Sequence, residues 1–486
     1  MKSLTPSDKE FFSRVNQSAF LNPFSEKRHS SDAHAVGKKA NNPFLHLGEL
    51  LNKLDTRLQT ISTSSTQSLY SLYAEEDAQL LEVAILFQVL HRHRDGLDAY
   101  IRNQVKASDK LLPADCASEI FSELCVRGFS VDRAEAFVAL IFQMRRAYYF
   151  ISTGLMGQCD SMRSLREKLW NVIFTSDIKF YVRCFWNRLE DFSTLLLGET
   201  GTGKGAAAMA LGRSNYIPYK SDLRTFSENF AKSFLSINLS EFSENLIESE
   251  LFGHRKGAFT GATSDHEGIF SRCSRRGAIF LDEIGDVSEQ VQIKLLRVLQ
   301  ERVFFPVGGH ERIRFGGRVI AATNQDIEKL RNDGRFRNDF YYRLSSTRIE
   351  LPSLRMRIAE NEDELTLMLT EVVKRMSGEE LPELVERIEG VLQRDLPKDY
   401  GWPGNVRELE QAVRSVILSG EYIGEKNANN PSVTSGELNR CLSGDMTLSE
   451  LERWYCRCLY DKLGTYGAVA AKLGIDWRTV KQKIES

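Results

Sequence analysis

The feature that most restricts how this chain can fold is a glycine-rich loop set between two kinds of apolar run. Leu195-Leu196-Leu197 suits a buried strand, and Gly198-Glu199-Thr200-Gly201-Thr202-Gly203-Lys204 follows it directly. An alanine-rich helical run, Ala206 to Leu211, comes next. Strand, glycine loop and helix in that order make a phosphate cradle. The glycines let backbone N–H groups wrap the oxygens, the helix start adds positive potential, and Lys204 reaches the terminal phosphates. A ligand-free glycine turn is the bland alternative, and the flanking strand and helix argue against it. The loop departs from the common pattern at Gly205, where many such loops place a Ser or Thr hydroxyl on magnesium.

Other β-branched or aliphatic runs alternate with helical stretches: Phe234 to Ile237, Ala278 to Leu281 and Val319 to Ala322. That alternation predicts a parallel α/β sheet. One run, Ala278-Ile279-Phe280-Leu281, ends in Asp282-Glu283. An acidic pair after a strand is usually a solvated turn. Downstream of a phosphate loop it reads as catalytic: Asp282 to hold magnesium, Glu283 to orient and deprotonate an attacking water.

A chain of 486 residues suggests two to four domains, and a hydrophobic fraction of 42% supplies several cores. The net charge of -2 excludes a globally basic nucleic-acid binder, so DNA contact needs a local patch. The eight cysteines form no CxxC pair and no secretion signal is evident, so reduced thiols in a cytosol are expected. The strongest apolar run, Leu80 to Leu90, contains Glu82 and Gln88 and is too short for a membrane span, so no membrane partner is expected. His91-Arg92-His93 has no further metal ligands nearby and reads as a solvated helix end.

From about residue 155 to 415 the chain resembles the central AAA+ domain of sigma-54-dependent activators, the bacterial enhancer-binding proteins. The deciding residues are Glu248-Ser249-Glu250-Leu251-Phe252-Gly253-His254 and then Gly257-Ala258-Phe259-Thr260-Gly261-Ala262. In that family the second block is the loop that touches sigma-54. A tight turn with an exposed Phe is the alternative, and an exposed aromatic between glycines suits binding better than stability. The resemblance implies further roles. Asn238 would couple the catalytic glutamate to the signature loop. Thr323 and Asn324 would sense the γ-phosphate. Arg337 and Arg343, in Phe336 to Leu344, would reach a neighbouring subunit and stabilise transferring charge. Arg407, in Gly401 to Leu409, would be a second sensor on a helical lid. Arg355 and Arg357 match the family, whereas Ile358 and Ala359 replace its usual charges, and extra sequence lies around 179–192 and 212–232. The Gly205 position is commonly acidic in this family.

The C-terminus resembles a Fis-type helix-turn-helix. Gly467 to Ile475 would be the first motif helix and its turn. Trp477 to Ile484 would be the recognition helix, with Trp477, Arg478, Thr479, Lys481, Gln482 and Lys483 toward double-stranded DNA.

The organisation expected is a loosely ordered lead-in (1–45), a helical regulatory region (46–152), a central AAA+ domain made of an α/β part (153–350) and a helical lid (351–419), a linker (420–437) and an all-α helix-turn-helix domain (438–486). The implied molecule is a cytoplasmic ring, a hexamer, that uses ATP and Mg2+ to remodel sigma-54 RNA polymerase. Two rivals stay open: a DNA-bound regulator that binds nucleotide without hydrolysing it, and a AAA+ remodeller of another protein. The Gly257 to Ala262 loop counts against both, and Gly205 favours the first. The N-terminal region carries no receiver-type acid cluster and no cofactor motif.

Overall fold

Alternation between strand and helix produces the sheet that the sequence predicts. In chain order the strands are β1 (Thr194–Leu197), β2 (Tyr219–Lys220), β3 (Thr225–Phe226), β4 (Phe234–Asn238), β5 (Ala278–Asp282), β6 (Val303–Phe304), β7 (Ile313–Arg314), β8 (Arg318–Thr323) and β9 (Thr347–Glu350). In this computed structural model, which describes residues 2–36, 43–61, 69–107, 109–186, 191–424 and 446–485, five strands form one parallel sheet ordered β4–β5–β8–β1–β9. The pairs β2–β3 and β6–β7 are small antiparallel hairpins.

Successive strand residues point to opposite faces, and the sheet therefore divides two cores. Leu195, Ile279, Leu281, Val319 and Ala321 pack on one side with helices Glu244–Phe252, Glu289–Glu301 and Asn338–Leu344. Leu196, Phe280, Ile320 and Ala322 pack on the other with the Lys204–Gly212 helix. That second core continues outward into the N-terminal helices, as far as Phe12, Leu54 and Leu81. Residues 2–423 accordingly belong to one compact unit.

This corrects two expectations. Residues 1–45 contain two helices, Pro6–Ala19 and Glu26–Val36, and the first buries Phe11, Phe12 and Val15. Thr5 caps the first helix by accepting from the Asp8 N–H, with Pro6 at its first turn. The apolar residues of this stretch are sparse and spaced along helices, so its polar composition disguised them. Residues 37–42 lie outside the described residues, as does most of the Ser/Thr-rich stretch, 62–68. The helical region also continues past 152, through the Asp160–Phe174 helix, and shares its core with the sheet.

The extra sequence after the phosphate-loop helix explains the junction. It folds into the β2–β3 hairpin, whose Phe226 stacks on Phe142 of the Val131–Gly154 helix, ring centroids 4.0 Å apart. From the same helix Arg146 donates to the Arg213 and Asn215 carbonyls (3.1 and 2.7 Å), and Gln143 donates to the Ser214 carbonyl (2.9 Å). Of the extra sequence before the loop, 187–190 lie outside the described residues.

The helices of 354–419 form a separate small core around Leu369, Val372, Ile388 and Val413. Residues 425–445 lie outside the described residues, and with them most of the expected linker and the first residues of the expected C-terminal domain. Residues 446–485 contain three helices, Leu448–Leu463, Tyr466–Leu473 and Trp477–Glu485, closed over Leu459, Val469, Ala470 and Val480. Thr447 and Glu450 form a capping box, and Gly464 and Gly474 end the first two helices in the left-handed region.

Candidate functional site: a phosphate-loop cleft and a glycine-bounded loop

The glycine loop joins β1 to the Lys204–Gly212 helix, as its sequence requires. Gly201 has φ 79 and a Cβ there would meet the Gly404 carbonyl at 2.1 Å, so only glycine fits beneath the lid. Among the described residues the N–H groups of Thr200, Gly201 and Gly203 have no acceptor, which leaves a nest of donors for an anion. Lys204 Nζ donates to the Gly198 and Glu199 carbonyls (2.8 and 3.2 Å), and Thr202 donates to Glu199 (2.8 Å). Burial pushes the Lys204 ammonium below the usual lysine range, partly offset by Glu283 and Asp282.

The two carboxylates stand at the end of β5, next to β1's neighbour β8. Burial raises both above their ordinary values, against the pull of Lys204. Glu283 adopts φ 54, ψ 48, a left-handed conformation that costs a non-glycine residue roughly 1 kcal/mol. Its carboxylate accepts from the Asn324 N–H (3.2 Å), and the Asn324 amide donates to Thr200 Oγ1 (2.8 Å). A tie thus runs from Glu283 through Asn324 to the phosphate loop. Asp282 Oδ1 accepts from the Glu283 N–H (3.1 Å), and Oδ2 has no protein donor among the described residues. A carboxylate oxygen facing a cleft fits magnesium held partly through water. A Cβ at Gly205 would meet nothing within 4 Å, so neither space nor backbone demands the glycine.

The lid closes the cleft, which measures about 540 Å³ and is lined by Lys204, Asp282, Glu283, Asn238 and Arg407 among others. Two residues with no assigned role at the level of sequence hold the lid there. Asn405 donates to the Thr200 carbonyl (3.0 Å) and accepts from the Leu354 N–H (2.7 Å). Glu364, wholly buried, takes Arg357 at 2.7 Å and the Gln158 N–H at 2.8 Å. Arg355 pairs with Glu199 of the loop itself. The signal for Asn405 was its place inside the lid motif. For Glu364 none was available, since an exposed acid on a helix looks the same.

Of the other expected site residues, Asn238 lines the cleft, whereas Thr323, Arg337 and Arg343 do not. Asn238 bonds Glu241 (3.0 Å) and the Ser240 N–H (3.2 Å), with no bond to Glu283. Thr323 is fully buried and accepts from the Gln325 N–H, below the cleft rather than in it. Arg337 pairs with Glu289 (2.7 Å) and Asp339 (2.9 Å), and Arg343 donates to the Leu299 carbonyl (2.9 Å). Neither arginine lines the cleft of its own chain.

The loop 257–262 is a turn closed by Gly257 N–H to the Ala262 carbonyl (2.9 Å), with Gly257 and Gly261 at φ 82 and 103. Phe259 is 38% exposed and meets the His254 ring edge-on at 4.9 Å. His254 is held by Ser249 of its own block (2.7 Å), and through its contact with Phe259 the two family blocks meet in space. In the C-terminal unit Trp477 is 49% exposed with Arg478 over its ring, whereas Lys483 is occupied by Glu452 at 2.5 Å.

The His91-Arg92-His93 segment is the helix end expected, with Arg92 exposed, but its histidines are engaged: His91 lies tilted against the Phe87 ring at 4.4 Å and His93 bonds Glu123 at 2.9 Å. No helix of the described residues is long and apolar enough to cross a membrane.

Residues 185–350 match the family model of the sigma-54 interaction domain. The chain is 38% identical over 302 residues to the transcriptional regulatory protein ZraR of Escherichia coli (strain K12), covering 60% of this chain and 63% of that one. The ZraR of Klebsiella oxytoca is 36% identical over 339 residues, 68% of each. The Nif-specific regulatory protein of Azotobacter vinelandii is 38% identical over 275 residues, 56% of this chain and 46% of that one. The chain thus spans just under two thirds of the Escherichia coli relative's length. With the two signature blocks in contact in a chain that also carries a phosphate-loop cleft, and with similarity at this level and extent, the chain belongs to the family of transcriptional regulators built on the sigma-54 interaction domain.

Proposed function

We infer that this protein is an ATP-hydrolysing transcription activator acting on RNA polymerase that carries sigma-54. The observation that carries the reading is the convergence of Lys204, Asp282 and Glu283 in one cleft, with Asn324 tying Glu283 to the loop. In this reading the free N–H groups and Lys204 hold the phosphates of ATP. Glu283 takes a proton from the water that attacks the γ-phosphorus. The β–γ bridging bond breaks, leaving ADP and phosphate. Asp282 would hold magnesium, which would supply charge neutralisation for the phosphates when bound.

Arg337 and Arg343 do not line the cleft of their own chain, which supports a role in a neighbour's site and hence a ring, taken as hexameric. The Phe259 loop is the reading's contact with sigma-54, and Asn238 its relay from the cleft. Trp477, Arg478, Thr479, Lys481 and Gln482 would face DNA, with Lys483 spent on Glu452. A regulator that binds nucleotide without hydrolysis is favoured by one feature, the absence of any side chain at Gly205.

Phosphate release measured against protein concentration separates the two. Turnover per chain that rises with concentration, and is lost in Glu283→Gln with nucleotide still bound, supports hydrolysis in a ring. Binding of ATP with no turnover at any concentration leaves the non-hydrolysing reading.

A further inference from the structure

A second cavity, about 450 Å³, lies among the N-terminal helices, away from the phosphate loop. Helix Glu26–Val36 brings Arg28 and Asp32 to it, Glu75–Arg92 brings Phe87 and His91, Val131–Gly154 brings Tyr148, and Asp160–Phe174 brings Trp170. Its size suits a small molecule.

The polar groups are out of balance in one direction. Arg28 is 8% exposed and gives Asp32 only its Nε, at 2.9 and 3.0 Å from the two carboxylate oxygens. Its two Nη groups have no acceptor among the described residues. The guanidinium lies over the Phe87 ring at 5.1 Å, which holds the fork in place. Trp170 is 3% exposed, and its indole N–H is buried without an acceptor. Leaving such a donor unmatched costs free energy that folded proteins usually avoid. The acids nearby do not correct the imbalance. Both oxygens of Asp32 are taken by Arg28, and both oxygens of Asp98 accept from Arg145 at 2.6 Å. Burial, with Arg28, Arg94 and Arg145 around it, pushes the His91 imidazole down to about 3, so it stays neutral.

We propose that this cavity binds a small carboxylate with an aromatic body, its two oxygens received by the Arg28 fork, its body in the space that Phe87, Leu90, Met144 and Tyr148 line. A guanidinium fork matches two carboxylate oxygens, and the acceptor-only head supplies what the site lacks. The walls are apolar where the body would lie. The site shares two helices with the nucleotide cleft, which Gly154, Leu155 and Met162 line from the ends of the same segments.

The test is thermal unfolding and isothermal titration of the full chain with benzoate, phenylacetate and indole-3-acetate, each beside its primary amide. Neither readout depends on ATP turnover. At saturating carboxylate the expected result is a Tm rise of about 2 °C or more, with the amides weaker. Arg28→Lys, which keeps the charge beside Asp32 and protects the fold, should abolish binding. The proposal is overturned if none of the three carboxylates moves the Tm, if the amides bind as well as the acids, or if Arg28→Lys binds like the parent chain.

Discussion

On one face of the sheet, Leu196, Phe280 and Ile320 sit in a core that runs without a break to Phe12 in the first helix. On the other, Leu195, Ile279 and Val319 close a core of their own, and the exposed Phe259 loop belongs to the chain that covers this side. The first face is also bonded through buried donors. Arg146 and Gln143 hold the backbone just after the phosphate-loop helix, and Arg318 holds the Phe192 carbonyl and Thr194 at the start of β1. The second face ends in glycine-bounded turns whose side chains meet solvent. The N-terminal region is therefore mounted on the body of the nucleotide cleft by packing, not tethered to it, whereas Phe259 of the signature loop is part-exposed and rests on His254.

Substitutions sort the two faces by what they disturb. The largest effect belongs to the strand ends between them: Asp282→Asn and Glu283→Gln should each lower phosphate release by about 1000-fold or more, with melting unchanged. Melting that falls in step with turnover would mean the carboxylates serve structure. Next, Phe226→Ala removes the ring stacked on Phe142 and should cost about 4 kcal/mol, read by chemical denaturation. A loss under about 1 kcal/mol would show that the hairpin does not mount the N-terminal helices.

The lid clasp comes third. Glu364→Gln leaves Arg357 buried without its counter-charge and should cost about 3 kcal/mol. Burial alone would push the Glu364 carboxyl up, but the Gln158 N–H and Arg357 hold it below the usual glutamate value of 4.5. Its contribution is therefore complete above pH 4.5 and fades as pH falls through the lower folded value. The parent chain should lose stability over that window more steeply than the variant. Equal slopes would remove the clasp from the account. The smallest effect is at Gly205→Ala, where open space and an ordinary backbone allow a gain of under about 1 kcal/mol, with turnover retained.

The two faces also differed in how readable they were. The strands, the phosphate loop, Asp282-Glu283 and the signature loop were legible because each is a short run whose chemistry depends on neighbours in sequence. The mount was not. Phe142 meets Phe226, and Arg146 meets the carbonyls after Gly212, across a separation that no local pattern records. The lead-in was misread because Phe11, Phe12 and Val15 are few among polar residues, yet they suffice to bury one helix face. Thr323 was placed in the site by its motif, but alternation along β8 turns its side chain into the protein.

The central claim is that ATP turnover in the cleft reaches the polymerase through the exposed loop. It is tested most directly by measuring open promoter complexes formed by sigma-54 polymerase beside phosphate release, for the parent chain and Phe259→Ala. The parent should open promoters only with hydrolysable ATP. Phe259→Ala should keep its turnover and lose opening, since an aromatic anchor of this kind is worth about 2 kcal/mol at a small interface. Promoter opening by Phe259→Ala at the parent's rate, or no opening by the parent with ATP present, would contradict it.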